Sequence, residues 1–170
     1  MSKPQTPIDA QTAFTGTVAP SGADILDADK LAQWMADNVE GFEGPVEVLK
    51  FAGGQSNPTY RLNAKSGSYV LRRKPFGVLL PSAHAVDREY KVIAGLYPTG
   101  FPVAKPFGLC TDDSVIGSMF YIMDMVEGRT IWDGAMPGSN PVERSATYEA
   151  MIDTLAALHN VDVEGAGLSD

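Results

Sequence analysis

Apolar positions along the chain recur with two periods. Leu31, Trp34, Met35 and Val39 fall on one face of a helix, with Asp27 placed as its N-cap. Three short runs of alternating character follow, VEVLKF, PTYRLNA and SYVLRR. The segments AGGQSN and KSG that separate them have turn chemistry, so the pattern predicts a three-stranded meander. Behind Ser82, the spacing of Val86, Tyr90, Ile93 and Tyr97 predicts a second amphipathic helix, which Pro98-Thr99-Gly100 stops. The runs around FGLC and MFYIMD add two strands, for five in all, and TDDSVIGS between them suits a hairpin connection. Past Gly128 comes a loop rich in Gly, Pro and Asn. Asn140 then stands as a cap, Pro141 at the first helical position and Glu143 where a capping box places its acid. Tyr148, Met151, Ile152, Leu155 and Leu158 form the apolar stripe of this third helix, and His159, four residues after Leu155, is expected to pack in a core.

Composition narrows what such a fold can do. A chain of 170 residues, 44% hydrophobic and 20% charged, is long enough for one domain with its own core. A net charge of −8 argues against a surface for nucleic acid or an anionic bilayer, so a phosphate ligand must be held by local groups. No apolar run approaches the roughly 20 residues that cross a membrane, and the first 24 residues hold no apolar signal core and read as a loose leader. The single cysteine, Cys110, reads as a small buried strand residue and fits a reducing compartment, hence a cytoplasmic location.

Three features carry candidate chemistry. Gly53 and Gly54 let the backbone of AGGQSN approach a ligand closely, so its N–H groups can cradle a polyphosphate with Ser56 and Asn57 as side-chain donors. In YVLRRKP, strand alternation puts Val70 and Arg72 on one face and Leu71 and Arg73 on the other, so Arg72 can reach phosphate oxygens if the Val70 face borders a cleft. Glu89 has only Ala85, Val86, Val92 and Ile93 at helical spacing around it. A carboxylate so placed needs a cation from outside its helix, and Arg72 is the economical partner. The Asp112-Asp113 pair and Asp162 read as ordinary loop residues.

The order strand, Gly-rich turn, strand, basic strand, acidic helix, strand, strand is that of a kinase N-lobe. The segments FAGGQSNPTYRL, YVLRRKP, AHAVDREYKVIAGL, FYIMDMVEGRTIWD and LAALHNVD resemble the aminoglycoside phosphotransferase and choline kinase superfamily from about Leu26 to His159, in particular the branch associated with acyl-CoA dehydrogenases. The resemblance implies an α/β (α+β) fold: a kinase-like N-lobe with a five-stranded antiparallel sheet and one packed helix, followed by the first helix of a truncated C-lobe. It divides the chain into a leader (1–24), an ATP-binding lobe (25–126) and a hinge with the start of a C-lobe (127–170). It implies ATP and Mg²⁺ as cofactors, with Gly53, Gly54, Gln55, Ser56 and Asn57 covering the phosphates. Arg72 and Glu89 would form the phosphate-orienting pair, and Met123, Asp124, Met125 and Val126 the hinge that takes adenine. Arg72 departs from the lysine of most kinases.

The family's catalytic loop and metal-binding Asp do not follow His159 in these residues, so the metal ligands are expected elsewhere and the chain alone is expected to be inactive. The expected partners are ATP and a small-molecule hydroxyl substrate, with a hydroxyacyl compound suggested by the branch, no nucleic acid or membrane, and self-association through an uncovered final helix. Two other readings stay open: a nucleotide- or partner-binding module without catalysis, and an unrelated α+β interaction domain whose glycines and arginines are structural.

Overall fold

A computed structural model describes residues 16–53, 56–77 and 84–169. Its centre is one antiparallel sheet. In chain order the elements are β1 (Thr17–Val18), α1 (Ala28–Asn38), β2 (Glu47–Phe51), β3 (Thr59–Ala64), β4 (Gly67–Arg73), α2 (Val86–Leu96), β5 (Pro106–Cys110), α3 (Asp113–Ile116), β6 (Phe120–Asp124) and α4 (Pro141–His159). The strands lie in the order β1-β2-β3-β4-β6-β5.

The sheet has six strands where the sequence pattern predicts five. The extra one pairs Thr17 with Phe51 and Val18 with Lys50. The Asp24 carboxylate then accepts from Lys50 Nζ at 2.6 Å and lies 3.5 Å from Arg73 Nη2. Residues 17–24 are thus part of the lobe rather than of a leader. A two-residue edge strand has no alternation to detect, and its partner is fixed only by tertiary pairing; residues 1–15 lie outside the described residues.

Two helices pack on the sheet, one on each face. Asp27 caps α1, its Oδ1 accepting from Lys30 N at 3.1 Å. Leu31 and Met35 of that helix, with Val39, are buried against Tyr60, Leu62, Leu71, Phe120 and Ile122. This is the hydrophobic core. α2 lies against β5 and β6, with Val86 and Leu96 buried. Its expected cap, Ser82, is outside the described residues, and the N-cap position falls at Ala85, which makes no side-chain cap bond. The helix ends in a 3₁₀ turn, Tyr97–Thr99, closed by Gly100 at φ 80°.

Cys110 is buried at the end of β5, and burial pushes its thiol pKa up. The β5–β6 connection contains a helical turn, α3, because Asp112 Oδ1 accepts from Ser114 N at 2.8 Å and nucleates it.

At the start of α4, Asn140 Oδ1 accepts from Glu143 N at 2.9 Å. The Glu143 carboxylate turns to Arg129 Nη2 at 2.9 Å. No residue of α4 is buried, His159 included. His159 is therefore not a core residue, and Met151, Leu155 and Leu158 of the same helix line a shallow hollow of about 460 Å³ with Phe101. Among the described residues no helix is long and apolar enough to cross a membrane.

Candidate functional site

Strand pairing builds the site. Arg72 of β4 stands opposite Thr59 on β3 and Tyr121 on β6, and one step along Val70 stands opposite Arg61 and Met123. Because alternate residues share a face, Thr59, Arg72 and Tyr121 present their side chains together, away from the core that Tyr60, Leu71 and Ile122 fill. Arg73, on the core face, is buried. Its Nε donates to Tyr60 Oη at 3.1 Å and its guanidinium stacks 3.9 Å from the Phe76 ring centroid.

On the open face Arg72 and Glu89 form the ion pair that the isolated carboxylate demands, Nε to Oε2 at 2.7 Å and Nη2 to Oε1 at 3.4 Å. Burial alone would lower the Arg72 pKa, but the hydrogen bond and charge of Glu89 outweigh it and the net shift is upward. Three further residues, none of which the sequence linked to Glu89, complete its surroundings. Asn57 Nδ2 donates to Oε1 at 2.7 Å, Tyr121 Oη donates to Oε2 at 3.2 Å, and His84 Nδ1 lies 2.9 Å from Asn57 Oδ1. Burial and then the Glu89 charge hold the Tyr121 phenol well above its usual range, so it stays a donor. The sequence pattern marks the run around Tyr121 as a strand, but its contact with Glu89, like those of Asn57 and His84, depends on tertiary placement.

A cleft of about 910 Å³ runs along this face. It is lined by Phe51, Gly53, Val70, Arg72, Ala104 and, from the end of β6 and beyond, Met123, Asp124, Met125 and Val126. Arg72 and Met123 also line an adjoining hollow of about 840 Å³ with Ser56, Asn57, His84 and Glu89. Of the residues singled out in the sequence, the two cavities bring together Gly53, Ser56, Asn57, Arg72, Glu89 and Met123 to Val126; Gly54 and Gln55 lie outside the described residues. Asn57 differs from expectation in that its amide is spent on Glu89 and His84. Asp124 N already donates to Lys105 O at 2.8 Å. Arg61 Nη2, 3.3 Å from Glu127 Oε1, ties the loop after β6 back to β3. Among the described residues no group of three His, Cys, Asp or Glu side chains is placed to hold a metal.

The sequence and the fold have counterparts in known proteins. The profile of the phosphotransferase enzyme family matches residues 47–170. Acyl-CoA dehydrogenase family member 11 of Homo sapiens is 43% identical over 147 residues, covering 84% of this chain and 19% of that protein. The protein of the same name from Gallus gallus is 46% identical over 147 residues, again 84% of this chain and 19% of its own length. This chain therefore spans about a fifth of the length of these relatives. A solved structure from Ralstonia eutropha JMP134, titled as an aminoglycoside phosphotransferase, superposes with a TM-score of 0.74 at 46% identity, over 86% of this chain and 42% of that one.

Proposed function

Since this chain belongs to the phosphotransferase enzyme family, we propose that it is the ATP-binding portion of a small-molecule kinase that moves the γ-phosphoryl group of ATP to a hydroxyl. The observation that carries this reading is Arg72: it is held by Glu89 at 2.7 Å and lines a cleft together with Gly53 and residues 123–126.

The described residues fit such a nucleotide. Val70, Ala104 and Met123 offer apolar contact for a planar base. With Asp124 N engaged, the backbone of Met125 and Val126 supplies hydrogen bonds to its edge. In this reading the backbone N–H of Gly53 and the hydroxyl of Ser56 would serve the polyphosphate, and Arg72 brings a guanidinium that can hold two oxygens at once. Glu89, itself anionic, acts on the phosphates only through Arg72. ATP, when bound, supplies the transferable phosphoryl group. Among the described residues no group of three His, Cys, Asp or Glu side chains could hold a metal ion, and no step is assigned to magnesium.

The acceptor is a small molecule with a hydroxyl group, and the relatives named as acyl-CoA dehydrogenases make a hydroxyacyl compound the first to try. Calorimetric titration of the chain with ATP tests the reading: the expected result is binding that Arg72→Ala weakens at least tenfold. Equal affinity in both proteins, or none in the wild type, would refute it.

A further inference from the structure

The chain has 2 tryptophans, and the fold treats them differently. Trp34 packs against the core, its ring centroid 4.9 Å from that of Phe120 and its indole over Gly108. Trp132 is 46% exposed and lines the cleft, in the stretch between β6 and α4 that has neither helix nor strand. An indole carries a large apolar surface, and a ligand that covers it recovers burial that the fold itself leaves unused.

The segment that carries Trp132 is tied down on both sides. Asp133, the next residue, closes a turn: its Oδ1 accepts from Ala135 N at 2.8 Å and its carbonyl oxygen from Met136 N at 2.9 Å, and Met136 is buried. Tyr148 Oη of α4 donates to Gly134 O at 2.7 Å. Before Trp132, Glu127 meets Arg61 at 3.3 Å and Arg129 meets Glu143 at 2.9 Å. Such exposed ion pairs add little energy, but together with the turn they set the path of the chain through residues 127–136.

The two cavities separate the residues around a nucleotide. Arg72 lines both and Ser56 only the adjoining hollow, whereas Trp132, like Val126, lines the cleft and not the hollow. The indole is thus grouped with the segment after β6. Val70, Ala104 and Met123 offer a planar base apolar contact from the sheet, which covers one of its two faces.

We infer that Trp132 is a binding residue for the base of the nucleotide, its indole stacking on the face turned away from the sheet. The inference rests on the ATP-binding reading and adds to it a second contact surface. The phosphates take no part in this contact.

The test is calorimetric titration of the full chain with ATP and with inorganic tripolyphosphate, which has the charged chain of ATP and no base, for wild type, Trp132→Ala and Trp132→Phe. Trp132→Ala should weaken ATP about tenfold and leave tripolyphosphate within about twofold of wild type. Trp132→Phe keeps an aromatic face and should bind ATP within about threefold of wild type. Equal losses for ATP and tripolyphosphate in Trp132→Ala would assign the residue a structural role and overturn the inference. So would a Phe variant as weak as the Ala variant.

Unchanged ATP affinity in Trp132→Ala would remove the inference and leave the ATP-binding reading in place; a wild type that does not bind ATP would remove both. Should the variants not fold, or tripolyphosphate bind too weakly to measure, tryptophan emission of the wild type decides. Trp34, packed against the core, gives a constant background, so saturating ATP should quench the emission of the exposed indole. Emission that saturating ATP leaves unchanged would overturn the inference.

Discussion

A carboxylate on a helix with no cation at helical spacing has to be answered from elsewhere in the fold, and Glu89 is answered by Arg72 at 2.7 Å. Replacing Glu89 with Gln keeps the shape and one acceptor but removes the charge that orients the guanidinium. The phosphate contact then persists with poorer geometry, and the expected loss is about tenfold in ATP affinity, against about 10²-fold for Arg72→Ala. Calorimetry on the two variants checks the order, and an inverted order would show that Arg72 is not the residue meeting phosphate. This pair was legible in the sequence because it follows from a local imbalance of charge. Tyr121 and His84 were not, since each meets Glu89 or Asn57 only after strand register and the fold of the turn have been set.

Arg73, buried on the core face, follows the same electrostatics for a structural end. Arg73 is 2% exposed and its ionic partner Asp24 sits in a segment that the pattern assigned to a leader. The Lys50 hydrogen bond, followed by the charges of Lys50 and Arg73, holds the Asp24 pKa below its ordinary value despite some burial. The folded pKa is depressed, so the linked stability is complete above the unfolded value near ~3.9 and drains away as pH falls through the folded one. Asp24→Asn should therefore lower stability at pH 7 and flatten the acid limb of a pH–stability curve between about pH 5 and pH 2. At neutral pH the loss should be about 1–3 kcal/mol, kept toward the low end because the carboxylate is partly open to water. Urea unfolding across that range measures it.

At the scale of elements, the strands and helices with clear periodicity were all legible. What escaped were those made by contact, namely the two-residue β1, the helical turn α3 and the approach of the C-terminal segment to α2. That approach runs over Gly95, where an added Cβ would lie 2.6 Å from the Ala166 carbonyl oxygen and 3.0 Å from Leu168. The clash is with backbone, which cannot rotate away. In the sequence Gly95 sits in a helical pattern and reads only as a weak helix former; its reason is a neighbour about seventy residues on. Gly95→Val should displace residues 162–169 from α2, seen as faster hydrogen exchange there, at a cost of about 1–3 kcal/mol. Unchanged protection in that stretch would mean the contact is not kept in solution.

At the scale of the whole molecule, the charge balance and the apolar surface pull in opposite directions. A net charge of −8 favours dispersal, yet Met151 is 58% exposed, Ile152 60% and Leu155 52% along one helix, with Tyr148 and Leu158 flanking them. Burying each aliphatic side chain fully is worth about 1.5–3 kcal/mol, so covering three of them outweighs the repulsion between two acidic copies at ordinary salt, where the Debye length is about 8 Å. The chain should self-associate through α4, more strongly as salt rises. That salt dependence separates an apolar contact from an ionic one, which would weaken instead. Ile152→Lys with Leu155→Lys should return the chain to a monomer without loss of thermal stability, since neither side chain is buried. Sedimentation velocity at two salt concentrations reads both effects. A wild type that stays monomeric at high salt would mean that α4 folds back onto the lobe in solution, which faster hydrogen exchange over residues 141–159 in the double variant would then reveal.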